Sequence, residues 1–229
     1  MRKRGIWIWK GRVAGVCALA LAGCATPGVR NSVRTFDTVV LDAGHGGIDS
    51  GAIGRNGVRE KQVALDVTRR VDGRLRAAGF KTVLVRDRDV FVPLDTRASL
   101  SNREHDAIFV SIHFNHTRAR TTHGTETYYI HPYGQMIADR IQSHLVRQQA
   151  GKDRGVKRAN FRVLRLNLNP AVLVECGFLS NGREARLAAS PAHREKIAAC
   201  IAHALTELRW PNRPLNEPAF AYPAPSPER

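Results

Sequence analysis

Little in this sequence answers at once to a standard class. It has four cysteines in 229 residues, too few for a disulfide scaffold. Cys17 and Cys24 fall near the start, and Cys176 and Cys200 each sit among apolar neighbours that suit a core. An oxidising compartment would permit a bridge between those two, but their spacing does not ask for one. Acids are also scarce, 20 Asp and Glu against 36 Lys and Arg, for a formal charge of +16. The basic residues are scattered, not interleaved with aromatics, and no nucleic-acid-binding module is present, so nucleic acid is not the expected partner. No internal repeat is visible, and no apolar run reaches the roughly 20 residues that span a bilayer.

What is present begins with the basic Met1-Arg2-Lys3-Arg4, followed by the short apolar run Val13 to Ala22 (VAGVCALALA). Together they have the layout of an export signal. The run ends in Leu21-Ala22-Gly23-Cys24, which resembles the lipobox of bacterial lipoproteins, where the cysteine is acylated and becomes the mature N-terminus. We therefore expect residues 1–23 to be a lipoprotein signal peptide, Cys24 the lipidation site and residues 24–35 a short tether. The protein is expected to be exported and membrane-anchored, facing the periplasm, and Ala25 after the cysteine resembles outer-membrane rather than inner-membrane retention. Five basic residues and no acid precede Cys24, so the remainder carries +11. An exported protein of that charge is drawn to anionic wall polymer and lipid headgroups. Residues 211–229 hold six of the eleven prolines without apolar periodicity, and are expected to be a disordered tail. Residues 36–210 remain as one domain, and 43% hydrophobic content is enough for its core. A monomer is expected.

Within that domain apolar runs alternate with amphipathic ones. Val39–Leu41 predicts a strand, and Val63, Val67, Val71 and Leu75 mark one face of a helix that stops at Gly79. Thr82–Val85 predicts the next strand, Leu94–Asn102 a helix, Ala107–Ile112 and Thr125–Ile130 strands, and residues 135–149 a helix stopped by Gly151. Ala171–Val174 predicts a further strand, and Ser190-Pro191 opens a last helix striped by Ile197, Ile201, Leu205 and Leu208. Strands alternating with helices imply an α/β domain with a mostly parallel sheet, and runs as apolar as AIFVSI fit strands covered on both faces.

Three of these strands end on chemistry. Val39–Leu41 runs into His45, Ala107–Ile112 into His113, and Ala171–Val174 into Glu175. In an open parallel sheet the carboxyl ends of the strands line the crevice where ligands bind, so the three side chains should meet. Two imidazoles and a carboxylate in one cleft can be a zinc site, a triad lacking its nucleophile, or a set of satisfied polar groups. GHGGIDSG is not the serine elbow G-x-S-x-G, and Cys176 follows a strand among apolar neighbours, which suits packing better than attack. The glycines lack the Gly-Lys-Ser/Thr of a phosphate loop, and a G-x-G-x-x-G frame from Gly44 puts Asp49 where glycine is required. A hydrolytic zinc site needs three ligands of the His/Glu type and an open position. Glu60, 15 residues past His45 at the start of the Val63 helix, is the candidate third ligand, although a first-turn acid is also what the helix dipole favours. Spacing alone leaves the zinc site and the coincidental set both open.

Longer segments narrow the choice. VVLDAGHGGIDSGA, GVREKQVALDV, FVSIHFN and PAVLVECGFLSN, with the connectors GFKTVLVRDRDVFVPLDTRASLSN and RGVKRANFRVLR, resemble in order the signature blocks of zinc-dependent N-acetylmuramoyl-L-alanine amidases of the Amidase_3 type. The resemblance covers nearly all of Val39 to Leu208. It implies a single three-layer α/β domain, a twisted and mostly parallel sheet flanked by helices. It also implies one zinc ion held by His45, Glu60 and His113, Glu175 as catalytic glutamate, and peptidoglycan as partner, cut between the lactyl group of N-acetylmuramic acid and L-alanine of the stem peptide. Asn115, in the S-I-H-x-N block, is expected either to orient the site or substrate or simply to form a turn. Asp42 is expected to hold the turn or to support the second ring nitrogen of His45. Arg97 and Asn102 match a block read as structural, and His116 is the one rival ligand among the other histidines. Some relatives carry an inhibitory helix between the second histidine and the catalytic glutamate; the interval here is already filled, so none is expected and the enzyme is expected to be open without an activator. The alternatives are a catalytically silent wall-binding or regulatory lipoprotein on the same fold, or a zinc amidase for another amide.

Overall fold

The computed structural model describes residues 28–213, residue 149 excepted. The expected signal peptide, Cys24, the start of the tether and residues 214–229 of the expected tail lie outside the described residues.

The first strand, β1 (Thr38–Ala43), is wholly buried. Its side chains alternate between two cores: Val39 and Leu41 enter the larger one and Val40 the smaller, which explains why the run is apolar without a break. Helix α1 (Glu60–Ala77) returns the chain to β2 (Lys81–Leu84), which pairs parallel with β1. A second crossover through α2 (Leu94–Asn102) leads to β3 (Ala107–Asn115), parallel on the other side of β1. The chain continues through β4 (Thr125–Tyr129), α3 (Pro132–Arg147), β5 (Asp153–Arg158) and the short α4 (Arg162–Arg165). It then forms β6 (Ala171–Phe178), α5 (Gly182–Ala189) and α6 (Pro191–Arg209). The sheet order is β2-β1-β3-β6-β4-β5. All pairings are parallel except that of β4 with β6, so the sheet is mixed and mostly parallel, with helices on both faces.

Two elements differ from the sequence expectation in an instructive way. β5 has the sequence DRGVKR, with no apolar alternation, because it is an edge strand hydrogen-bonded on one side only, to β4. The helix expected over 135–149 begins at Pro132 and ends at Arg147, since proline at the first turn sacrifices no helical hydrogen bond; Gln149 lies outside the described residues.

The helices divide the two faces unequally. α1, α3 and α6 bury Val63, Val67, Val71, Ile137, Ile141, Ile201 and Leu205 against one face. On the other face a smaller core gathers Val40, Phe109, Ala171 and Leu173 with Val163 and Leu164. That smaller cover belongs to the amino-terminal half of the strands, and the cleft opens beyond it, at their carboxyl ends.

Candidate metal centre

The turn after β1 is built by two buried guanidinium groups. Arg86 donates to the carbonyls of Ala43 (2.9 Å), Gly44 (2.8 Å) and Lys61 (2.8 Å). Arg97 donates to the carbonyls of Ala43 and His45, both at 2.8 Å, and to Asp42 Oδ1 at 2.6 Å. Asp42 Oδ2 also accepts from Ser111 Oγ at 2.7 Å. With its carbonyls tied down, the turn carries His45 at φ 59°, a left-handed conformation uncommon for a side-chain-bearing residue. Gly44 lies against the ring of His113 so closely that a Cβ there would meet Cε1 at 2.4 Å, and a Cβ at Gly51 would meet both Glu60 Oε2 and His45 Cδ2 at 2.6 Å. Those two glycines permit the side chains to converge.

The structure brings His45, Glu60 and His113 together: one donor atom from each lies within 4.8 Å of the others. Glu60 Oε1 is 3.0 Å from His45 Nε2 and 2.9 Å from His113 Nδ1. The carboxylate is fixed by backbone as well, accepting from Phe114 N at 3.0 Å and, through Oε2, from Ala52 N at 2.9 Å. Burial alone would raise the Glu60 carboxyl, but the imidazoles of His113 and His45 outweigh it and hold it well below the usual carboxylate range. Burial would likewise lower the His45 imidazole, and Glu60 and then Asp49 outweigh it, so it stands above its ordinary value.

The outer ring nitrogen of His45, Nδ1, donates to Asp49 Oδ2 at 2.8 Å. This corrects one of the two roles expected of Asp42, which lies in the turn's buried ion pair with Arg97 and does not support the imidazole. Asp49 does, because the turn doubles back: Gly46 N donates to Asp49 O at 2.9 Å and Asp49 N to Gly46 O at 3.1 Å. Four residues of separation in a glycine-rich turn carry no periodic signal that could have singled Asp49 out.

Glu175 on β6 stands beside His113 in the parallel register of β3 and beside Glu126 in the antiparallel register of β4. Its Oε2 is buried without a hydrogen-bond partner. Burial, then the charges of Glu60 and Glu126, push its carboxyl well above the ordinary range. A cavity of about 260 Å³ holds Glu175 together with His45, Glu60 and His113. Asn115 also lines it, but its amide is committed, donating to Glu126 Oε1 at 2.8 Å. His116 lines the rim and contributes nothing to the three-residue cluster. Cys176 and Cys200 are buried free thiols; no bridge joins them. Glu126, Arg86 and Asp49 are the residues that sequence reasoning missed; an acid buried in the strand TETYY is the one signal that pointed to the first of them.

The donor set suits a metal ion. Two imidazoles and a carboxylate are the ligands of many hydrolytic zinc sites, and a carboxylate behind one imidazole is the usual support for such a ligand. The orphaned Oε2 of Glu175 is a buried acceptor that calls for a proton or a water. Fold and site thus define a class, an α/β domain organised around a His-Glu-His centre with one free carboxylate at its side. Residues 39–207 match the Amidase_3 family, described as N-acetylmuramoyl-L-alanine amidase, and the chain belongs to that family.

Among relatives, the N-acetylmuramoyl-L-alanine amidase LytC of Bacillus subtilis is 38% identical over 169 residues, 72% of this chain and 34% of that protein. The chain therefore spans about a third of LytC. The N-acetylmuramoyl-L-alanine amidase AmiA of Escherichia coli is 32% identical over 75% of this chain and 76% of its own length. Among solved structures, the catalytic domain of CwlV, an N-acetylmuramoyl-L-alanine amidase from Paenibacillus polymyxa, superposes with a TM-score of 0.72 at 34% identity, covering 75% of this chain and 97% of that one.

Proposed function

We propose that this chain is a zinc-dependent peptidoglycan amidase that hydrolyses the bond between the lactyl carbonyl of N-acetylmuramic acid and the nitrogen of L-alanine. The observation that carries the reading is the placement of the unpartnered Glu175 Oε2 in the same cleft as the His45, Glu60 and His113 donors. His45, Glu60 and His113 would hold the ion. Zinc there would supply Lewis acidity, polarising the scissile carbonyl and lowering the pKa of a water toward neutrality. Glu175 accepts the proton of the attacking water as the C–O bond forms and returns it to the nitrogen as the C–N bond then breaks, so that a neutral amine leaves. Asp49 fixes the tautomer of His45, leaving Nε2 its lone pair. The family membership supports the choice of bond.

The sequence motif at Cys24 supports an acylated, periplasm-facing lipoprotein, held close to the wall polymer that it cuts. The interval between His113 and Glu175 is occupied by β4, α3, β5 and α4, of which α3 packs with α6 under the opposite face of the sheet, so we read the enzyme as active without a partner. Incubating the full chain with purified sacculi tests the reading. Soluble peptides with new L-alanine N-termini are expected, without any added protein. Cleavage at another bond, or none until a second protein is supplied, would overturn it.

A further inference from the structure

The two ends of the cleft are not equivalent, because the proton must reach the leaving nitrogen. In the sheet order β1-β3-β6-β4-β5, Glu175 on β6 separates the His45/His113 side from β4 and β5. A substrate whose carbonyl lies at the histidines and whose nitrogen lies at Glu175 therefore runs its sugar toward β1 and its peptide toward β4 and β5. A largely apolar cavity of about 450 Å³ opens beside His45 and His113, walled by Phe91, Val92 and Leu94 toward β1 and by Phe161 and Leu173 toward β6, an apolar surface for a neutral pyranose. The β4–β5 side is of opposite character. Glu126, buried next to Glu175, accepts from Arg154 Nε at 2.9 Å and from Lys157 Nζ at 2.5 Å through one oxygen. Its other oxygen accepts from Tyr128 Oη at 2.6 Å and Asn115 Nδ2 at 2.8 Å.

Glu126 is the one acid paired with these two cations among the described residues, and Glu175 beside it makes no pair with either. Both cations stay accessible, with 33% and 38% of their side chains exposed. Each is steadied on a ring: the Arg154 guanidinium lies 5.0 Å from the centre of Phe178, and the Lys157 ammonium 5.8 Å from that of Tyr128. Glu126 engages Arg154 through Nε alone, and the terminal nitrogens are the fork that grips a carboxylate.

Resting on the amidase reading above, we propose that Arg154 and Lys157, held by Glu126, form a subsite for a carboxylate on the departing stem peptide, and so set the direction in which substrate lies across the cleft. The test compares two muramoyl-peptides that differ in one group: the residue after L-alanine carries either a free carboxylate or its carboxamide. The wild-type enzyme is expected to favour the acid, and Arg154→Gln and Lys157→Gln are each expected to lower the acid-to-amide ratio of kcat/KM about tenfold, the worth of a charged hydrogen bond. A purely structural role would slow both substrates alike, and an unchanged ratio overturns the proposal. The wild-type protein supplies a second arm that depends on no variant: the ratio should fall toward one as salt shortens the screening length, and a salt-independent ratio also overturns it. Failure of the wild type on both peptides would sink the amidase reading instead, and is told apart by the absence of any product.

Discussion

A methyl group on Gly44 would occupy the ring of His113, its Cβ 2.4 Å from Cε1. Space is thus as much a determinant of this site as charge. Gly44→Ala is expected to displace the imidazole, weakening zinc binding and lowering stability by about 1–3 kcal/mol as overpacked sites do; zinc titration and urea unfolding of the same sample read both. Glu175 makes the opposite case, a residue whose removal is expected to cost chemistry and not architecture. Its Oε2 has no partner to lose, so Glu175→Gln should keep the fold and the metal while kcat falls on the order of a hundredfold or more, the usual contribution of a proton-transfer group. Wild-type turnover in that variant, measured as peptide release, would remove Glu175 from the reaction.

Among the elements, the turn between β1 and α1 depends on charges delivered from elsewhere. Arg97 sits on α2, 3% exposed, and its ion pair with the 1% exposed Asp42 is sealed from solvent. Arg97→Met would leave that carboxylate buried with Ser111 as its remaining partner, at a cost of about 3–5 kcal/mol, and would release the carbonyls of Ala43 and His45. A denaturant midpoint near that of the wild type would contradict this. Helices α1 and α6 are joined by a second set of charges, in which Asp66 meets Arg70 and Arg194, and Glu195 meets Arg70 and Arg74. Burial raises both carboxyls but their arginines outweigh it, so both lie below their ordinary values. A depressed carboxyl stabilises the fold above its unfolded pKa and loses that contribution as pH falls through the folded one. The thermal midpoint of an Asp66→Asn, Glu195→Gln double variant should therefore change less between about pH 6 and about pH 3 than that of the wild type; an equally steep acid limb would argue against the clamp.

The same elements mark how far the sequence could be read. β1, β3 and β6 were legible because strands buried on both faces are continuously apolar, and each then breaks into a polar residue at its carboxyl end, which named His45, His113 and Glu175. Glu60 was legible as a helix start. β5 was not, since an edge strand of charged residues lacks that pattern, and with it went Arg154 and Lys157. Asp49 was hidden for a different reason: its contact with His45 is made by a turn whose path depends on Arg86 and Arg97, residues 37 and 48 positions further along the chain.

At the scale of the whole molecule, α1, α3 and α6 supply most of the core on one face, which frees the other to remain open at the carboxyl ends of β1, β3 and β6. The candidate ligands gather where these helices leave the sheet's edge uncovered: Glu60 from the first turn of α1, His113 from β3, and His45 from a turn pinned by two arginines. The central claim is that a single zinc ion on His45, Glu60 and His113 makes this domain an amidase. Its most direct test strips the full chain with chelator, adds zinc stepwise and follows release of L-alanine-terminated peptides from sacculi. Release should vanish on chelation, return in proportion to zinc and level off at one equivalent per chain; release that survives chelation, or that never answers to zinc, would contradict it.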